Sequence, residues 1–318
     1  MTKQTVLSRS ISFILLFMFN GVYAQNFKNE FGFRSDNDSY LGLGQDRYYT
    51  NGLFISYRHA FNQEKLSTKL ANKIWEAEIG QYMYNAQSGQ VRNISDVDRP
   101  FAAYLYAGAK IQWLLKNEQI FSTAINIGKV GPDALGQKAQ EFLHDTFGFY
   151  KINGWQYQIA NQLGINTTFN YTRLLLRKQS DNDFSLQSQI NLGNTFAGAS
   201  AGILFRAGRI NKLFQSVSTN SRISNSKTDS IPKKELFFFT RPMLNFVAYD
   251  ATVEGSSISD EIPKNFNTNN FQYSQEFGVN YAVNRWTLNF SVLFKSKDTK
   301  SQLRPHQYGS AVIYYRFN

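Results

Sequence analysis

Apolar and polar residues alternate through this 318-residue chain in segments that are long and many. Leu53, Ile55 and Tyr57 alternate with Gly52, Phe54, Ser56 and Arg58. Phe121, Thr123, Ile125 and Ile127 alternate with Ser122, Ala124, Asn126 and Gly128, and Phe184, Leu186, Ile190 and Leu192 with Ser185, Gln187, Gln189, Asn191 and Gly193. Period two with one apolar face marks strands that meet water on one side and an apolar medium on the other. Twelve such segments can be counted, at roughly 27–36, 50–60, 74–84, 101–115, 118–130, 156–176, 183–194, 197–210, 235–249, 270–283, 285–297 and 307–317. An even number is what a single-chain bacterial barrel closes with. The pattern therefore predicts an all-β chain: a twelve-stranded antiparallel transmembrane β-barrel with a short extracellular-loop helix. A soluble β-sandwich is the competing architecture.

The start of the chain supports the barrel. Lys3 and Arg9 precede a mostly apolar run from Ile11 to Val22, and Val22-Tyr23-Ala24 ends on a small residue. That is the layout of a secretory signal peptide over residues 1–24, leaving 25–318 as the barrel; a buried N-terminal helix is the alternative. Loss of Lys3 and Arg9 lowers the formal net charge from +11 by two, to +9. No later stretch offers about 18 consecutive apolar residues, so no transmembrane helix is expected. Mean hydropathy is negative, yet 16% of residues are aromatic. Such a mixture suits an outer-membrane wall with a polar lumen and aromatic girdles. Cysteine is absent, so no disulfide framework exists. Lysines and arginines form no block and no nucleic-acid motif appears, so the basic balance points to a phosphate-rich membrane surface and not to nucleic acid.

Loops of a closed antiparallel barrel alternate between its two ends. With the N-terminus on the periplasmic side, loops 37–49, 85–100, 131–155, 195–196, 250–269 and 298–306 fall outside. Loops 61–73, 116–117, 177–182, 211–234 and the turn at Asn284 fall inside. Segment 211–234, rich in Ser, Asn and Lys, is long for an inner turn and reads as a flexible periplasmic excursion unless the count slips there. Three outer loops carry the reactive residue types: Asp36-Asn37-Asp38 with Asp46 to Gly52, then Asp98-Arg99-Pro100, then Gln140 and His144. Strand parity puts Thr50 on the face of Gly52, Ser56 and Arg58, hence inward. In the third loop Asp133 is an apt N-cap. Leu135, Ala139, Phe142 and Leu143 form an apolar helical stripe expected to press on the wall. Gln140 and His144, four apart, share another face that would look into a cleft.

Of the three histidines, His59 lies at the inner end of its strand and His306 opens the last strand. Only His144 has neighbours suited to orient a general base. Asp36, Asn37 and Asp38 are hard oxygen donors of the kind calcium takes, although short Asp-Asn runs also make ordinary turns. The chain lacks a Gly-x-Ser-x-Gly elbow, a P-loop and His-Glu-x-x-His.

These residues resemble the outer-membrane lipid A 3′-O-deacylases of the LpxR type. The resemblance rests on Asn37-Asp38, Asp46-Arg47-x-Tyr49-Thr50-Asn51-Gly52-Leu53, Asp98-Arg99-Pro100-Phe101-Ala102, and Gly131-Pro132 leading to Gln140-x-x-x-His144. It continues in Gly154-Trp155-x-x-Gln158 and His306-x-Tyr308-Gly309, and is densest over residues 30–160. It implies an active site facing the outer leaflet, between the wall and a loop helix. The implied reaction is Ca2+-dependent hydrolysis of the 3′-acyloxyacyl chain of lipid A, with lipopolysaccharide as substrate. Carried over by motif, His144 is the general base, with Asn37 and Gln140 placing or stabilising the oxyanion. Asp38 holds the metal, and Thr50 lies in the metal and substrate site. Asp98 and Arg99 anchor the second loop, with Arg99 as a phosphate contact. Where the family places a glutamate just after the histidine, this chain has Tyr150 and Lys151; Asp36 and Asp145 are the acids available to compensate. A monomer is expected. Two alternatives stand beside this reading: a phospholipase-type esterase using Ser39 or Ser56, and a non-enzymatic barrel or porin.

Overall fold

The computed structural model describes residues 26–42, 46–178, 181–227, 230–255 and 266–318. The expected leader lies outside them. Twelve antiparallel strands close into one barrel: β1 (Asn29–Asn37), β2 (Tyr49–Ala60), β3 (Leu70–Tyr84), β4 (Ala102–Leu115), β5 (Gln119–Val130), β6 (Gln162–Lys178), β7 (Asn182–Gly193), β8 (Phe196–Arg209), β9 (Lys234–Asp250), β10 (Phe271–Val283), β11 (Trp286–Lys295) and β12 (His306–Phe317). Every strand pairs with its sequence neighbours, and β1 closes on β12 from Asn29↔Phe317 to Asn37↔Gly309. Boundaries differ from the sequence reading by a few residues. β3 starts at Leu70, and β6 starts only at Gln162 because Trp155–Tyr157 forms a 3-10 turn.

The two faces invert the soluble order. Outward positions hold exposed Phe31, Phe33, Ile55, Ile79, Ile125, Ile127, Leu163 and Leu244, as a wall bathed in lipid requires. Tyr57, Trp75, Trp286 and Tyr315 pack in pairs near the inner rim, with ring centroids 5.3 Å and 4.7 Å apart. Inward positions carry the charges. Arg58 bridges Glu30 and Glu76, Lys110 meets Glu76 at 2.7 Å, and Arg316 meets Glu30 at 3.2 Å. Each charge has partners of opposite sign, which burial demands.

Segment 211–234 is no flexible excursion: through residue 227 it folds up into the lumen and stops its inner end. Short 3-10 turns at Leu213–Gln215 and Val217–Thr219 bury Leu213 and Val217, and Leu213 and Ile223 pack against Ala60, Ile74, Leu114 and Ile120. Side chains of the barrel satisfy its backbone: Glu118, in the turn between β4 and β5, accepts from the Leu213 amide at 2.8 Å and Glu235 of β9 from Val217 at 2.9 Å. The strand count therefore does not slip at this segment. At the opposite end lie helix α1 (Gly136–Phe147) and the four-residue helix α2 (Ala251–Glu254).

Candidate active site

One extra residue decides which way the site faces. Tyr49 pairs with Tyr84 and Asn51 with Met83, so Thr50 is a β-bulge. Strand parity therefore fails at Thr50. Tyr49 takes the inward place, its hydroxyl donating to Asp36 at 2.7 Å and its ring packing on Tyr84 and Tyr308. A Cβ on Gly52 would collide with that Tyr49 hydroxyl, which is why glycine stands there. Thr50 is turned to the outer side of the wall, where the loops bring its partners.

Two loop elements lie against that outer side. The 3-10 turn Asp38–Leu41 leaves β1 and lays Tyr40 against Ser35, whose hydroxyl is 2.8 Å from the tyrosine oxygen. Helix α1 follows the 3-10 turn Pro132–Ala134 and packs beside β3 and β4. Met83 and Ala103, on the outward faces of those strands, join Ala134 and Trp155 in an apolar cluster. Gln81, outward like exposed Ile79, donates to the Ala134 carbonyl at 2.6 Å. The helix lies with Gly136, Gln140 and His144 against the wall, while Phe142 is 69% exposed. The expected stripe thus divides: Ala139 packs on the apolar cluster and Leu143 is half-buried, whereas Leu135 and Phe142 face outward. The outward pair has a physical reason: the medium outside such a wall is lipid, where apolar side chains are stable. Nor does Asp133 cap α1. It lies in the 3-10 turn, salt-bridged to Lys129 at 2.7 Å, and Leu135 takes the N-cap position in a left-handed conformation without a side-chain cap.

Four groups meet in the cleft. Thr50 Oγ1 lies 3.4 Å from Asp38 Oδ1 and 3.2 Å from Asp46 Oδ1. Asp46 Oδ2 faces His144 Nε2 at 3.1 Å. His144 Nδ1 is 2.6 Å from the Tyr150 carbonyl, which only accepts, so the proton sits on Nδ1 and Nε2 carries the basic lone pair. Asp38 is buried and receives the Arg47 amide at 2.9 Å. Burial first, with the Asp46 carboxylate beside it, pushes the Asp38 carboxyl up to about 8 against the pull of that amide.

The remaining residues divide into those that serve the cleft and those that do not. Asn37 caps the turn carrying Asp38, its Oδ1 accepting from the Ser39 amide at 2.6 Å while Nδ2 donates to Asn51; one amide hydrogen is left over. Gln140 is fully buried, its Oε1 takes the Trp155 indole N–H at 2.9 Å, and its Nε2 has no partner. Arg99, expected as a phosphate contact, is fully buried instead. It bonds the Thr252 hydroxyl at 2.9 Å, covers the Tyr84 ring at 4.1 Å and lies 3.8 Å from Asp298. Asp98 receives the Tyr48 hydroxyl at 2.8 Å and the Leu303 amide at 3.0 Å. The pair therefore binds the outer loops to one another.

The acid of the cleft is Asp46, to which the sequence reading gave no role. Asp36 is occupied on the lumen side by Tyr49 and Ser310, and Asp145 is exposed on α1. Tyr150, standing where the family has glutamate, bonds Asp46, and burial together with that carboxylate raises its phenol well above the usual range. The signal was available: Asp46 precedes Thr50 by four residues in a motif already singled out. As a cation site the cleft offers two carboxylates and a hydroxyl, all hard oxygens, with no cationic side chain paired to Asp38 among the described residues. Among the described residues, no three His, Cys, Asp or Glu side chains form a ready-made metal cluster. A cation here would take its further ligands from backbone, water or substrate.

Fold and cleft together define an outer-membrane β-barrel protein whose reactive groups lie on the outside of its wall. A family model described as "Outer membrane protein LpxR" matches residues 11–317. The chain belongs to that family. Its fold is also that of LpxR from Salmonella typhimurium, at 19% identity and a TM-score of 0.75, covering 91% of this chain and 100% of that one. More distant is the beta domain of the Bordetella autotransporter BrkA, at 10% identity and a TM-score of 0.46, covering 92% and 99%. No curated protein sequence matches.

Proposed function

We propose that the protein hydrolyses the 3′-acyloxyacyl ester of lipid A in the outer leaflet, as a monomer. The observation that carries the reading is the side of the wall on which the reactive groups lie. The bulge at Thr50 and the packing of α1 on the outer faces of β3 and β4 put His144, Asp38, Asp46 and Gln140 where a lipid arrives by lateral diffusion. The plugged lumen offers no comparable route for a solute, which weighs against a pore. Ser56 is buried on the inward face, and Ser39 is exposed on its turn; neither contacts a histidine, which weighs against a serine nucleophile.

The chemistry follows from the residues. His144, with Nδ1–H held by the Tyr150 carbonyl, uses Nε2 to take a proton from water as the water oxygen attacks the ester carbon. The developing oxyanion accepts from Gln140 Nε2 and from the free Asn37 amide hydrogen. The acyl C–O bond then breaks, the proton returns from His144 to the departing alkoxide, and a fatty acid and an alcohol leave. Asp38, Asp46 and Thr50 are the residues that would hold calcium, which would supply Lewis-acid polarisation of the ester carbonyl. Mass spectrometry of lipid A from cells with and without the protein, with a chelator arm, tests the assignment. The expected result is loss of one acyloxyacyl group, absent in His144→Ala and with chelator. Unchanged lipid A in cells making the wild-type protein would refute it.

A further inference from the structure

β1 ends at Asn37, opposite Asn51 on one side and Gly309 on the other. Beyond that level the wall has a gap. The chain has left β1 for the turn carrying Asp38, while β2 continues up to Tyr49 and β12 begins at His306. Tyr49 and Thr50 therefore have no strand neighbour on that side, at the very residues of the bulge. His306 spans the gap: its Nε2 lies 2.7 Å from the Tyr49 carbonyl, so Nε2 is the protonated nitrogen and donates to it. The ring stands edge-on to Tyr48, centroids 5.8 Å apart, and stacks on Tyr308 at 5.7 Å. Tyr48 is held in turn in a left-handed conformation, φ 57°, with its hydroxyl on Asp98. Such backbone persists only where surroundings impose it.

We propose that His306 is a positioning residue: by donating to the Tyr49 carbonyl it replaces the missing strand and fixes the bulge that turns Thr50 into the cleft. Packing alone does not explain an imidazole here. His306 is buried and its Nδ1 has no partner, a cost that leucine or phenylalanine in the same space would avoid. What the imidazole adds is the N–H at Nε2, aimed at the Tyr49 carbonyl, which lies beyond the end of β1. Its consequence for catalysis rests on the deacylase reading above; its consequence for the loop does not.

The test uses full-length protein in detergent, with His306→Gln and His306→Leu. Glutamine places an amide N–H near the position of Nε2, and leucine fills the space without a donor. One arm reads trypsin cleavage after Arg47, the half-buried residue next to Tyr48. The leucine variant is expected to be cut at least tenfold faster there, and the glutamine variant at nearly the wild-type rate. The other arm reads turnover of purified lipid A. A displaced Thr50 is expected to lower kcat about 100-fold with little change in KM in the leucine variant, and glutamine to recover most of it. Wild-type protection at Arg47 in a folded leucine variant overturns the proposal. So does a folded glutamine variant that loses protection, and this arm decides alone if the leucine variant does not fold. If no form of the protein deacylates lipid A, the deacylase reading falls while the trypsin arm still judges the role of His306.

Discussion

Gln140→Glu separates catalysis from packing at one atom. Gln140 is fully buried, its Oε1 holds the Trp155 indole N–H at 2.9 Å, and its Nε2 has no acceptor. A buried donor left unpaired costs about 1–3 kcal/mol, so the fold bears a penalty that only a ligand acceptor would remove. His144 lies one helical turn along the same face, so on the proposed reading that donor would lie beside the reacting carbonyl. Glutamate keeps the volume and keeps an oxygen for Trp155, but replaces the amide donor with an acceptor. Loss of one oxyanion donor is worth about 100- to 1,000-fold in kcat, or about 3–4 kcal/mol. Initial rates on purified lipid A in mixed micelles with calcium measure the effect, and the gel shift of heated against unheated barrel checks the fold. Gln140→Leu serves as the companion. It removes the unpaired amide but strands the indole N–H, so its stability should move little while kcat falls as far. A folded glutamate variant with kcat within about threefold of wild type would refute the donor assignment.

Three further outcomes are expected. With Asp38 raised from 3.8 to about 8, the folded cleft holds a proton that the unfolded chain has lost. The contribution of Asp38 to rim stability is therefore full below about 4 and falls as pH rises through 8. Calcium must displace that proton, so between about 4 and 8 its affinity should rise about tenfold per pH unit and level off above; titration calorimetry with Asp38→Asn, which should flatten the slope, is the check. Arg99→Gln should destabilise the outer loops by about 3 kcal/mol, the scale of breaking a buried ion pair. Its preference between phosphorylated and dephosphorylated lipid A should not change; a selective loss for the phosphorylated form would restore Arg99 as a phosphate contact. Replacing residues 213–223 with a short glycine-serine bridge should open the inner end of the lumen, read as conductance in planar bilayers; a closed barrel would mean that other residues stop it.

Strand parity carried far in this chain because a wall between lipid and water punishes any slip of register. It failed at Thr50 for a local reason. A bulge adds one residue and flips everything beyond it, and no side chain in Tyr49-Thr50-Asn51 announces that insertion. The apolar stripe of α1 divides between protein and lipid, with Ala139 on the wall cluster. Phe142 and Leu135 follow the pattern but face a different solvent. Segment 211–234 looked flexible by composition, yet Leu213 and Ile223 were its visible anchors. Asp46 was legible as a motif residue and not as a partner of His144, because that pairing joins two loops across the outside of the barrel.

The bulge also bears on the electrostatics. Had parity run straight through, Thr50 would face the lumen, where arginines and lysines already stand against acids such as Glu30 and Glu76. Turned outward, it draws Asp38 and Asp46 to the lipid side of the wall, where screening is poor and no lysine or arginine side chain is paired with Asp38. Two carboxylates in such a place require a proton or a metal between them. The raised Asp38 carboxyl is the protonic answer. A divalent cation is the other, and it would leave His144 Nε2 free to accept a proton from water. On the proposed deacylase reading, one inserted residue would set both the side from which substrate enters and the place where a cation would bind.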